Sequence, residues 1–563
     1  MLAVRPRSRL EAEVFELWKE LNPAGAYLEG VEECVGRIFE GSTSQIQTLL
    51  ERIGVLKMRA RGRLVKKMLD SFEIALQYEE PMNAPSALLG ALFGYLVKEG
   101  VKEDHLEPLL ESGIRSFANA RARMASKSWP LTLRILTTLA CRGLVGALEV
   151  VKREAKRERL KELCSRVRQE AEEYLRALKA PELKEGTYEE VMGLLAQGDA
   201  GMGRAHIYEP WLRKALDYAE DPRRLAEKAK GWIRSELPAL RRVMRRLARI
   251  YGCEPSLEEV SRAMARADGL RGSALIEKTK ELRTLLQPYI DRYVVRVPRS
   301  YNAEVMETPP YLASMLPTAA AFGVDSLTQR PRQLYLVTTD ERFSPMASLA
   351  DLINVYVHEE MGHDLHFARS AVGYGRRPRL LERISTTFAG PISEGLSFQR
   401  EMEFLWALKD TLRKARRSRV EENLLAYLER NGGLRRRLLE LEFVTRKWRL
   451  IRFLRVVGDA NINSDMMTLP EFLEWAERET GIDRKTVYYQ LFPAHQLNGP
   501  GYATSYAVIG QEIAAIERRL RRSRRKLVRL ATYGCSLGYP PRSLYRRRLR
   551  EFARALLAQE SGA

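Results

Sequence analysis

From Leu10 to about Tyr289, apolar residues recur three and four positions apart between charged ones, as in LTLRILTTLACRGLVGALEVVKREAKRERLKELC. That period puts one apolar stripe on each segment and predicts an almost unbroken series of amphipathic helices. Breaks are expected at Asn22–Gly25, Glu79–Pro85, Lys179–Gly186 and Tyr251–Pro255, where Gly, Pro and Asn cluster. No fixed repeat length runs through the region, so a solenoid is not expected. The longest apolar run, Ser86 to Val97, has 12 residues and stops at Lys98. It is too short to span a bilayer and reads as a buried helix. The glycine-rich GDAGMGR, Gly198 to Arg204, has no β-branched strand ahead of it. It reads as a helix-to-helix connection and not as a phosphate loop.

The pattern changes near residue 291. DRYVVRVPR (Asp291 to Arg299) and RQLYLVTT (Arg332 to Thr339) are short, β-branched and bounded by proline, which predicts two strands of a small sheet. An exposed edge of such a sheet can hold an extended peptide through main-chain hydrogen bonds. The next helix is expected to open with Ser344 as cap and Pro345 in the first turn, and Leu349, Leu352, Ile353, Tyr356 and Val357 mark its buried stripe. AVGYGRRP then breaks the chain, and Gly390-Pro391 opens another helix. The fold class is therefore mainly α, with a small β-sheet just before one particular helix and a division of the chain near residue 290.

Composition narrows the setting. The five cysteines are scattered with no Cys-x-x-Cys pair, which excludes a disulfide framework or a cysteine-ligated zinc site and fits a reducing cytosol. The first residues carry charge from position 5 onward and lack an apolar signal core, so a cytoplasmic protein with no membrane partner is expected. The formal charge of +21 admits two readings. One is an Arg- and Glu-rich solvated surface; the other is contact with a polyanion such as nucleic acid. The densest run, RRLRRSRRKLVR from Arg518 to Arg529, has eight basic residues of 12 and no interleaved aromatics for base stacking, which favours a solvated helix face.

The chemistry concentrates in HEEMGHDLH, His358 to His366, which holds three of the chain's six histidines. Zinc takes imidazole and carboxylate ligands, and the familiar helical spacing is His-Glu-x-x-His. Here His358 and His363 are five apart, about 140° from each other on a regular helix. A single-turn π-bulge would bring them together, and such bulges favour functional sites. Gly362 would ease the distortion. Two rival pairs need no bulge: Glu359 with His363, and His363 with His366.

A third ligand is available downstream in SEGLSFQREMEF, where Glu394 lies near the start of the next helix and Glu401 and Glu403 are alternatives. Near the C-terminus, the loop HQLNGPGY leads into a helix with Tyr502 and Tyr506 one turn apart. A tyrosine hydroxyl, or His495, aimed at a polarised carbonyl would stabilise a developing oxyanion.

Together these segments resemble a family. HEEMGHDLH is similar to the HEFGHALH-type helix of the thimet oligopeptidase and oligoendopeptidase F family with one residue inserted, and its spacing is similar to that of dipeptidyl peptidase III. EGLSFQREMEF and GPGYATSYAVIG resemble segments of the carboxypeptidase Taq family and of domain-of-unknown-function family 885. The resemblance covers roughly residues 291 to 555. It implies a helical gluzincin: residues 291–563 a catalytic region, and residues 1–290 a helical wall of a deep channel. It implies one Zn2+ held by His358, His363 and Glu394, with Glu359 as the general base that takes a proton from the attacking water. Tyr506, with Tyr502 or His495, would hold the oxyanion, and the strand carrying Leu334 and Leu336 would align an oligopeptide substrate, in carboxypeptidase or oligopeptidase mode. Two other functions stay open: a degenerate gluzincin that binds a partner without hydrolysis, and a basic helical protein that binds nucleic acid.

Overall fold

In the computed structural model, which describes residues 4 to 559 apart from 314 and 317, the chain is mainly α-helical with one small sheet. The four expected breaks all separate helices, at residue 22 and over 78–82, 178–187 and 252–256. Several others were not marked by strong punctuation, such as those at Ala60–Gly62 and Ala155–Arg157. The apolar run Ser86 to Val97 lies inside the helix Asn83–Glu99, with Leu88, Leu92, Tyr95 and Leu96 buried. The helix Leu131–Glu154 has the length and hydropathy of a membrane span, and it buries Leu133, Leu136, Leu144 and Val151 in the core.

The sheet has three strands, β1 (Ala303–Glu307), β2 (Ala319–Val324) and β3 (Arg332–Val337), in the order β1-β3-β2. β1 runs parallel to β3, and β2 antiparallel to it with Ala321 opposite Tyr335. The expected strand at RQLYLVTT is thus β3. The one expected at Asp291–Arg299 does not form, because the helix Ser273–Tyr293 runs through its first residues. Leu282, Leu286, Tyr289 and Ile290 make one buried stripe there, and helical spacing overrides the β-branched pair that follows. The amides beyond it turn to side chains: Arg296 N–H donates to Thr532 Oγ1 at 3.0 Å and Val297 N–H to Asp291 Oδ1 at 2.7 Å.

The helix ahead of the histidines also starts later than Ser344. Its cap is Ser348, with Ser348 Oγ accepting from Asp351 N–H and Asp351 Oδ2 accepting from Ser348 N–H. A residue at Ser344 would have Ala347 at the reciprocal position, which carries no acceptor, so the capping box selects Ser348.

Behind the site, helix Leu434–Asn463 lies along helix Pro222–Tyr251, and helix Ala389–Leu412 along helix Tyr502–Glu517. One core therefore joins residues from both sides of position 290, from Ile74 to Leu556. A second collects the helices before residue 180 with Leu336 and Leu380. The basic run at 518–529 spans a short 3-10 turn and the start of helix Arg524–Cys535, with Arg524 paired to Asp410 and Arg521 stacked over Trp406.

Candidate metal centre

The helix Leu349–His358 does not end at the histidines. It passes into a six-residue π-helix, Glu359–Asp364, and resumes as an α-helix at Leu365–Val372. A π turn bonds each residue to one five positions away, so residues five apart share a face. His358 and His363 accordingly lie side by side, with ring centroids 5.1 Å apart.

The wider turn is packed tightly from outside. A Cβ on Gly362 would sit 2.3 Å from Ser397 Oγ and 2.9 Å from Ser397 Cα. Only glycine lets helix Ala389–Leu412 come this close, and that helix carries Glu394. Glu394 Oε2 lies 3.6 Å from Nε2 of both His358 and His363. The three ligand atoms are all within 4.8 Å of one another, so this group could hold a metal ion.

The surrounding residues fit that use. His358 Nδ1 donates to Glu401 Oε1 at 2.7 Å, and Arg452 donates to Glu401 Oε2 at 2.9 Å and forms an ion pair with Oε1 at 2.8 Å. His363 Nδ1 pairs with Ser393 Oγ at 2.7 Å. Both outer nitrogens are therefore occupied and both Nε2 atoms point inward, the arrangement by which outer partners orient metal-binding histidines. Glu394 Oε2 is buried with no hydrogen-bond partner of its own, a costly state that a cation would relieve.

The field of the site favours positive charge. Burial acts to raise Glu394, but the adjacent imidazoles outweigh it and hold its carboxyl well below the ordinary range. Burial and the Arg452 charge act to lower His358, and the Glu394 and Glu401 carboxylates overcome both and push it up to about 9.

The centre opens into a cavity of about 630 Å³. Glu359 lines it beside the histidines, and its Oε2 accepts from Ala321 N–H at 3.1 Å. Across the space stand His495, Tyr502 and Tyr506, with His495 and Tyr506 rings 5.2 Å apart. Arg455 stacks on Tyr506 at 4.8 Å and donates to the Gln490 carbonyl at 2.9 Å. Burial pushes both tyrosine hydroxyls up and His495 down, so the phenols stay protonated and the imidazole neutral at ordinary pH.

No family model matches the chain, and no curated protein does. Solved structures do. A candidate lipoprotein of unknown function from Shewanella oneidensis is 15% identical, over 96% of this chain and 98% of its own, with a TM-score of 0.64. A candidate lipoprotein from Colwellia psychrerythraea is 12% identical, over 97% and 100%, with a TM-score of 0.59. These two share the fold, and at such identity they speak for the fold alone. A candidate oligoendopeptidase F aligns at 11% identity with a TM-score of only 0.34 and carries no argument.

The structure therefore gathers His358, His363, Glu394, Glu359, His495, Tyr502 and Tyr506 around one space. It places Leu334 and Leu336 elsewhere. β3 is the central strand, paired on both sides, and both leucines are buried, so it has no edge to offer a peptide. The strand that faces the cavity is β2, through Ala320, Ala321 and Phe322.

Among the described residues, neither Glu359 nor His366 joins the ligand group. His366 Nε2 approaches the Gly538 carbonyl at 3.3 Å, and burial pushes it down to about 3. Glu401 supports His358, and Glu403 pairs with Arg400. Sequence reasoning missed Arg452, Arg455 and Ser393. The two arginines sit three apart in IRFLR on a helix whose all-round burial hides any periodic signal, and Ser393 stands one residue before a noticed glutamate.

Proposed function

We propose that this chain is a zinc-dependent peptidase acting on oligopeptides. The observation that carries the reading is the convergence of two imidazoles and one carboxylate through a π-helical turn, beside an acid and opposite two tyrosines. His358, His363 and Glu394 would hold the ion, with Glu401 and Ser393 fixing the two rings. A bound zinc ion acidifies water and polarises a carbonyl.

Glu359 takes the proton from the attacking water and returns it to the leaving amine. The Ala321 amide anchors one of its oxygens and leaves the other for the proton. Tyr506 and Tyr502 donate their hydroxyls to the oxyanion, and His495 adds a neutral imidazole to the same wall. The outer edge of β2 aligns the peptide, in the role first expected of β3. A substrate must enter a cavity of about 630 Å³, which admits a flexible peptide and excludes a folded domain.

The test is hydrolysis of a mixed peptide library by zinc-loaded protein and by Glu359→Gln. The reading expects cleavage by the first and none by the second, with equal metal content. A wild type that holds zinc and cleaves no peptide would refute it and leave a binding protein.

A further inference from the structure

The wall opposite the metal centre is held from behind by a single carboxylate. Asp459, on helix Leu434–Asn463, is fully buried. Its Oδ1 accepts from Gln496 Nε2 at 2.9 Å, Asn463 Nδ2 at 2.8 Å and Gly501 N–H at 3.3 Å. Its Oδ2 accepts from the Tyr208 hydroxyl at 2.8 Å.

Two of those donors bracket the cavity wall. Gln496 follows His495, and Gly501 precedes Tyr502. Gly501 is also the cap residue of helix Tyr502–Glu517 and has no side chain to close it, so the carboxylate supplies negative charge at that helix start. Gly501 has φ +82°, and a Cβ there would meet Leu216 Cδ1 at 2.5 Å, which fixes the loop against the N-terminal region.

A second layer continues the brace. Arg204, 1% exposed, donates to Gln496 Oε1 at 2.6 Å and to Asn463 Oδ1 at 2.8 Å, and is itself gripped by Glu80 through both oxygens. Glu80, Arg204 and Tyr208 all come from the region before residue 290. They touch nothing in the cavity.

We infer that Asp459 is a positioning residue: through Gln496 and Gly501 it sets His495, Tyr502 and Tyr506 against the metal centre, and Tyr208 and Arg204 tie that setting to the N-terminal helices. The catalytic half of this statement rests on the peptidase reading; the mechanical half does not. Buried networks of this kind are sensitive because each lost acceptor strands several donors. A displacement of about 1 Å in groups that stabilise charge costs on the order of 100-fold in rate.

The experiment compares full-length wild type, Asp459→Ala, Asp459→Asn and Tyr208→Phe by amide hydrogen exchange, metal content and peptide hydrolysis. Asparagine can keep its oxygen toward the three donors and turn its amide to the Tyr208 oxygen. For Asp459→Ala we expect exchange over 495–506 to quicken about tenfold or more, with exchange over 349–372 and metal content unchanged. The same variant should lose kcat by about 100-fold while KM stays within about threefold.

Asp459→Asn should restore both readouts, which a purely charge-based role would not allow. Tyr208→Phe should give a smaller change confined to 495–506, and it serves if the alanine variant does not fold. Exchange that stays at wild-type rates, rises equally in all segments, or is no better in Asp459→Asn overturns the inference. If wild type cleaves nothing, the peptidase reading falls, and the exchange pattern still decides whether Asp459 sets the loop.

Discussion

Gly362→Ala is a demanding test of the packing that forms the metal centre. In an ordinary exposed helix this change would stabilise by roughly 0.5–1 kcal/mol, since glycine loses more backbone freedom on folding. Here the opposite sign follows from the contacts. The new methyl would stand 2.9 Å from Ser397 Cα, about 0.5 Å inside the start of ordinary contact, and 2.7 Å from Ser397 Cβ. Ser397 Oγ could rotate away, but Cα moves only with its helix. The helix Ala389–Leu412 must therefore back off, and Glu394, about one turn before Ser397, moves away from the two histidines with it. Overpacking of this kind costs about 1–3 kcal/mol. A displaced ligand should weaken metal affinity by about 10- to 100-fold, comparable to the loss of an outer-sphere partner. The assays are thermal unfolding and zinc competition with a chelator of known affinity. Gly362→Ala/Ser397→Gly should recover part of both losses, because it removes the Ser397 side chain while leaving Cα in place. Unchanged zinc affinity with unchanged or raised stability would refute the close approach and with it the explanation of the glycine.

Further outcomes follow from the same geometry. Glu359→Gln should bind zinc normally and lose about 10²- to 10⁴-fold in kcat, checked by metal analysis beside steady-state rates. Glu401→Ala removes the acceptor from His358 Nδ1 and leaves the Arg452 guanidinium, 3.2 Å from that nitrogen, without its carboxylate, so zinc affinity should fall about 10- to 100-fold, read by chelator competition. Tyr506→Phe should lower kcat by about 10²- to 10³-fold with little change in metal content. Burial pushes Glu29 up to about 7 despite its hydrogen bond from Ser385 N–H. The folded chain then binds more protons than the unfolded one from about pH 4.5 to 7, so this group's contribution to stability falls as pH rises through that window. Denaturant unfolding of Glu29→Gln across that range should show a dependence of stability on pH shifted in the positive direction relative to wild type; an equal slope would contradict it.

The parts of the site that were legible in the chain are those written in spacing. Histidines five apart admit convergence only through a wider turn, and the π-helix at Glu359–Asp364 is that turn. Glycine at 362 was read as easing the distortion; its larger role is to admit Ser397, a contact that no local pattern encodes. The sheet was less legible. β2 is built largely of alanine, a weak strand former, and exists because β3 and the π-helix flank it. The residues near 291 looked extended because two valines adjoin, while the helical stripe that claims the preceding residues begins at Leu275. The cooperation of Glu80, Arg204 and Tyr208 with the C-terminal loop spans separations of more than 250 residues, and single-sequence patterns carry no such information.

The central claim is that His358, His363 and Glu394 hold one divalent ion. Metal analysis of protein purified without chelator, wild type against His363→Ala, tests it most directly. The account predicts about one equivalent of zinc per chain in the wild type and a loss of most of it in the variant. A wild type that takes up no divalent metal when zinc is supplied, or a variant that retains its full equivalent, would contradict it.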